Sequence, residues 1–214
     1  VAFCVHKSTL TRQSPVFADM FALPASDVNE TYEGLPVVRM QDKAEDLAAL
    51  FEILYLVKFL PTKRLDPSTP SVVRPILSLA MKYDMESIKN QAIVRLVDDW
   101  PTTLRSWDAL EDEIDALEKN WHKEHTCTSL HDCRDSLDSH LPEPVAAITL
   151  GRECAIPSIL PAAFYHLSRL SMKWGPDGCV ADQYQQSSMR FIGKRTAKWK
   201  SLSSQDYYTL LVGE

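Results

Sequence analysis

The sequence predicts a mostly helical fold with a small strand component. Apolar residues recur at helical spacing over several long stretches. Short apolar runs of strand type occur only near the start of the chain. Prolines and polar stretches separate the pieces.

Phe3, Val5 and His6 read as a short apolar strand that leads into a small helix. Ser14 is a good N-cap for a second helix, and Pro15 stands at its first position, where a missing N–H costs nothing. Val16, Phe17, Met20 and Phe21 share one face of that helix. Ala25 to Gly34 is polar and reads as an exposed loop, and Pro36, Val37, Val38 and Met40 read as a short strand. Asp42 and Glu45, three apart, have the spacing of a capping box. The helix after them carries one stripe of Leu47, Leu50, Phe51, Leu54 and Val57 and a second of Ile53, Leu56 and Leu60, so it is expected to be buried on several sides. Pro61, Pro67, Pro70 and Pro75 mark a loop, with Pro75 acceptable only in the first turn of a helix starting near Ile76. Asp84 is placed to cap the next helix, whose Met85, Ile88, Ala92, Leu96 and Trp100 lie on one side.

Two strings carry a family resemblance. Phe3, Val5, His6, Lys7, Leu10, Ser14, Phe17, Met20 and Phe21 follow a pattern F-x-A/V-H-K/R-x-x-L-x-x-x-S-x-x-F-x-x-M-F without a gap. Further on, LSLAMKYDMESIKNQA follows L-x-x-A-x-K-Y-x-x-x-x-L-x-x-x-A. Together they resemble the BTB/POZ domain. WPTTLRSWDAL, PVAAITLGRE and IPSILPAAFYHLS resemble the helical extension after BTB cores in mushroom-type (basidiomycete) fungi. The resemblance implies an α+β core over residues 1–100, with a small sheet and helical hairpins, N-terminally truncated and lacking its first strands. An all-helical extension over 101–214 follows, with a polar insertion at about 111–142. The family also implies self-association through the first helices, here Leu10, Val16, Phe17, Met20 and Phe21, giving a homodimer in the full-length protein and weaker association where the N-terminal segment that strengthens the dimer by exchange is missing. Many members are adaptors for cullin-type ubiquitin ligases and carry a hydrophobic-x-acid motif before the helix that here is expected near Ile76. Val72, Val73 and Arg74 hold that place, with arginine where the carboxylate belongs. A guanidinium can only donate hydrogen bonds. Leu65 and Asp66 are the alternative if the loop has shifted. Weak or absent cullin binding is the expectation.

Composition fits a binding module. The 214 residues are 45% hydrophobic and 24% charged, close to globular averages. A formal net charge of −6 argues against wholesale binding to nucleic acid or anionic membrane. No apolar run approaches the roughly 18 residues that span a bilayer. Five scattered cysteines suggest reduced thiols in the cytoplasm or nucleus.

Candidate chemistry is sparse. The acidic run Asp108, Glu111, Asp112, Glu113, Asp115 and Glu118 reads as a solvated helix face, with a docking surface for a basic partner as the alternative. Arg190, Lys194, Arg195, Lys198 and Lys200 interleave with Phe191 and Trp199, a pattern of either a half-buried helix or a nucleic-acid or lipid contact. Gly175 and Gly178 bracket a turn. His122, His125, Cys127, His131 and Cys133 are zinc-type ligands, but the single residue between the partners of the pairs His125/Cys127 and His131/Cys133 does not match structural zinc knuckles. No metal and no cofactor are expected. Phosphate-binding glycine loops, a G-x-S-x-G elbow and H-E-x-x-H are all missing. His6 reads as a structural hydrogen-bonding residue. The expectation is a non-enzymatic adaptor or scaffold that binds proteins. A transcription regulator touching DNA through the basic tail or a His/Cys metal cluster is the alternative, and a hydrolase in the helical half is a third.

Overall fold

The computed structural model of the protein describes residues 1–23, 30–56, 63–124, 140–170 and 197–213. Helices α1 (Lys7–Gln13), α2 (Pro15–Ala22), α3 (Ala44–Leu56), α4 (Thr69–Lys82), α5 (Glu86–Asp99), α6 (Leu104–Glu124), α7 (Pro144–Glu153), α8 (Leu160–Ser168) and α9 (Ser204–Val212) dominate it, beside strands β1 (Thr31–Tyr32) and β2 (Leu35–Pro36). Two compact units are formed. One comprises Val1–Pro61 with Val73–Ala92, the other Thr62–Val72 with Ile93–Glu214.

In the first unit, Leu10, Phe17, Leu47, Leu50, Ile76, Leu79, Ala80, Tyr83, Met85 and Ile88 form one apolar core, with Met20, Phe21, Phe51, Ile53 and Leu54 partly buried against it. Fully burying a side chain of this size contributes about 1.5–3 kcal/mol. The Ser14 cap forms as expected: its hydroxyl accepts from the Phe17 N–H at 3.1 Å, and Pro15 opens α2.

Several local expectations give way to other contacts. Phe3–His6 is extended but joins no strand among the described residues. It lies against α3 instead, with Phe3 edge-on to Phe51 at 5.3 Å and the His6 N–H donating to the Tyr55 hydroxyl at 2.6 Å. Pro36–Met40 is not a strand of its own. Strand β2 is Leu35–Pro36, with Thr31↔Pro36 and Tyr32↔Leu35 in register, and beyond it the Val37 N–H donates to the Glu30 carbonyl at 2.9 Å. Glu33 (φ 52°) and Gly34 (φ 78°) are both left-handed, the geometry of a two-residue type I′ hairpin turn. The Glu30 carboxylate holds Arg39 across the hairpin base at 2.6 and 2.8 Å.

Asp42 forms no capping box. Its carboxylate takes the Lys82 ammonium at 2.6 Å and the Tyr83 hydroxyl. The fourth helix starts at Thr69, not near Ile76, so Pro75 lies inside it and Pro70 holds the tolerated early position. Asp84 is not an N-cap. It is the left-handed residue (φ 52°) that ends α4. The Met85 N–H reaches the Ala80 carbonyl at 2.7 Å and the Asp84 N–H the Met81 carbonyl at 3.3 Å, a Schellman closure. Met85, Ile88, Ala92, Leu96 and Trp100 are all buried, as their spacing predicts.

The described part of the chain after residue 100 is helical, with α6 to α9 and no strand. Leu65, Leu110, Ile114 and Leu141 form a core in the second unit, with Trp107 against it. The stretch read as a polar insertion begins as helix, since α6 runs on to Glu124. The Glu143 carboxylate caps α7 by accepting from the Val145 and Ala146 N–H groups, and one oxygen also accepts from the Lys198 N–H at 3.0 Å. α7 ends in a second Schellman closure, with Ala155 left-handed at φ 51°. Near that end Gly151 lies so close to α8 that a Cβ there would stand 2.8 Å from Leu160 Cδ2. Trp199 is buried and its carbonyl accepts from the Tyr207 hydroxyl at 2.7 Å. Asp206, in α9, takes the Arg152 guanidinium at 3.1 Å.

Candidate functional site

Two places hold the residues that the sequence singles out. The first is the junction of α1, α2 and the end of α4. Ser14 donates to the Tyr83 carbonyl at 2.5 Å, and the Phe17 ring stacks on the Tyr83 ring at 4.6 Å. Ser14 and Phe17 come from one family-like string and Tyr83 from the other. Of the residues expected to self-associate, Leu10 and Phe17 are consumed by the unit's own core. Met20 and Phe21 are half-buried, and Val16 is 41% exposed. Internal packing therefore accounts for part of the set, and Val16 is left outside it.

Tyr83 also anchors a polar contact that the sequence did not disclose. Burial pushes its hydroxyl above the usual tyrosine range, and its hydrogen bond to Asp42 adds to this. Burial acts to raise the Asp42 carboxyl as well, but hydrogen bonds from Lys82 and Tyr83 outweigh it and leave the carboxyl below its usual range. Lys82 and Tyr83, the K-Y pair of the second string, are the sequence signal for this contact.

The second place is the loop before α4. Leu65 is 2% exposed and sits in the second unit's core, with a left-handed backbone (φ 63°). Its N–H donates to the Asp99 carboxylate at 2.8 Å. Asp99 is buried and also pairs with Arg95 at 3.0 Å. Arg95 donates in addition to the Lys63 carbonyl, and Arg64 to the Asp98 carbonyl and to Glu113 at 2.7 Å. Burial raises the Asp99 carboxyl, against the Leu65 N–H and Arg95, which lower it. Asp66 accepts from the Ser68 N–H at 2.8 Å and the Ser68 hydroxyl at 2.6 Å, a turn that leads into α4. The Ser68 hydroxyl bond is the main cause holding the Asp66 carboxyl below its ordinary value. Val73 is fully buried, and Val72 and Arg74 are half-buried. The structure thus turns Leu65 and Val73 inward and uses Asp66 locally. The Arg95–Asp99 pair was readable as an i,i+4 charge pair, whereas its grip on residues 63–65 was not.

The acidic run is only partly a solvated face. Glu111 holds Arg169 at 2.5 and 3.1 Å and Glu113 holds Arg64, while Asp108 and Asp112 are exposed. His125, Cys127, His131 and Cys133 lie outside the described residues, as do Val57, Leu60, Pro61, Gly175, Gly178, Arg190, Phe191, Lys194 and Arg195. His122 lies on α6 with its side chain outside that set. Among the described residues no group of three or more His, Cys, Asp or Glu could hold a metal ion. No described helix is long and apolar enough to cross a membrane.

In comparison with known families, the BTB/POZ domain model fits residues 1–98. No curated protein matches the chain. No solved structure matches it. The matched span contains the Ser14–Phe17–Tyr83 junction, and a BTB/POZ domain suggests a module for protein–protein interaction.

Proposed function

We propose that the chain is a non-enzymatic adaptor or scaffold that self-associates through its BTB/POZ domain. The observation that carries this reading is the family match over residues 1–98, supported by the contact between Ser14, Phe17 and Tyr83. The surface for self-association is the outer side of α2, where Val16 is exposed beside the half-buried Met20 and Phe21. A self-complementary apolar patch favours a two-fold pair. Light scattering across a concentration series tests it. The chain should shift from monomer to dimer by about 100 μM, well above the ~1 μM that corresponds to −8 kcal/mol. Val16→Asp should hold it monomeric with an unchanged circular dichroism spectrum. A monomer at every concentration would refute the reading.

Cullin-type ligase binding is weak or absent in this proposal. What supports it is the inward placement of Leu65 and Val73 and the arginine at position 74. Titration calorimetry with a cullin N-terminal domain should give no dissociation constant below about 1 μM.

A further inference from the structure

We propose that the face shared by α6 and α8 is a docking surface for a basic, leucine- or aromatic-bearing segment of a partner protein. Tyr165 is 54% exposed, yet its ring is held by two neighbours. The Trp107 ring meets it edge-on at 5.0 Å. The Arg169 guanidinium lies over it, 5.4 Å from the ring centre, and is itself fixed by Glu111 at 2.5 and 3.1 Å. Trp107 is braced in turn against the buried His166 at 6.1 Å. Leu104, one helical turn before Trp107, is 77% exposed.

A lone exposed leucine or tyrosine needs no explanation. A tyrosine already locked in place is different, because binding it costs little side-chain entropy. Tyrosine, tryptophan and arginine are also the residue types that dominate binding energy at interfaces.

Charge selects the occupant. Asp108 and Asp112 follow Leu104 at successive four-residue steps, are exposed, and have no ion-pair partner among the described residues. The acids beside them, Glu111 and Glu113, already hold Arg169 and Arg64. With the exposed Arg105 beside them, the rim that remains keeps two carboxylates against one guanidinium and is negative, like the chain as a whole at −6. Such a rim attracts lysine and arginine and repels acidic partners.

Selection of random peptides of about a dozen residues on the immobilised full chain tests this. Enriched peptides should carry lysine or arginine around leucine, phenylalanine or tryptophan. Fluorescence polarisation with a labelled enriched peptide should show at least a tenfold loss of affinity, about 1.4 kcal/mol, in Tyr165→Ala and in the double variant Asp108→Lys, Asp112→Lys. Leu104→Ser, at a site too exposed to disturb folding, should weaken binding as well. Raising the salt from about 0.05 to 0.5 M should weaken it further through screening. Light scattering should show the same association state in all of these variants, which separates this surface from the one on α2. No enrichment, enrichment of acidic peptides, or affinity unmoved by the variants overturns the proposal.

Discussion

The Ser14 hydroxyl donates to the Tyr83 carbonyl, 69 residues away, while it accepts from the Phe17 N–H. One small side chain therefore starts α2 and ties it to the end of α4. The hydroxyl is buried and both of its roles are filled.

Ser14→Ala removes the cap and leaves the Tyr83 carbonyl without this donor. A lost N-cap costs about 1 kcal/mol, and a lost buried hydrogen bond about 1–3 kcal/mol. The expected loss is about 2 kcal/mol, read from urea denaturation. A loss below about 0.5 kcal/mol, the size of an ordinary surface substitution, would show that the contact is not made in solution.

Two left-handed residues that are not glycine define a second experiment. Asp84 and Ala155 close α4 and α7 at φ 52° and 51°. A side chain in this region costs roughly 1–2 kcal/mol. Ala155→Gly should raise stability by about 1 kcal/mol. At position 84 two variants separate the observed role from that of an N-cap. Serine caps helices as well as aspartate does but gains nothing in the left-handed region. Asp84→Ser should therefore destabilise, and Asp84→Gly should be neutral or stabilising. The reverse order would restore the cap.

Acid should act through Asp42. Its carboxyl is depressed from a reference value of 3.8, so the charged form is the one that the fold favours. Its contribution is complete above that value and is lost as pH falls through the lower folded value. Asp66 is depressed too and acts in the same direction. Asp99 is raised, so its charge costs stability at neutral pH and acid relieves the cost. Melting temperatures from pH 7 to pH 3 should fall below about pH 4. The fall should be shallower in Asp42→Asn and steeper in Asp99→Asn. Identical profiles in all three proteins would refute the assignment.

Much of the first unit was legible because its signals are local. Ser14 and Pro15 obey capping rules that need no distant partner, and Met85 to Trp100 follow helical spacing. The misread residues are those claimed by contacts far along the chain. Asp42 and Asp84 look like caps in a short window, but Lys82 and Tyr83 take the first and the Schellman turn takes the second. Pro75 looked like a boundary, yet α4 carries it as an interior residue. Phe3 and Val5 alternate like a strand, but packing on α3 and the core is what uses them. The burial of Leu65 is invisible in a short window for the same reason, since it depends on Asp99 and on the core residues Leu110, Ile114 and Leu141 far along the chain. The Tyr165 cluster left no trace in spacing, because it joins residues from two helices about sixty positions apart.

Glu143 has one more consequence. Its carboxylate serves the start of α7 and the Lys198 N–H together, and Arg152–Asp206 repeats the connection from the last turn of the same helix to α9. The final segment is thus held by noncovalent grips to a helix more than fifty positions upstream. These grips are independent of the peptide bonds that join residues 170 and 197. If the chain is cut between them, the two fragments are expected to co-elute under native conditions in size-exclusion chromatography and to separate in denaturant; separate native elution would refute this. The same property makes that interval the place to divide the chain for a split-protein reporter.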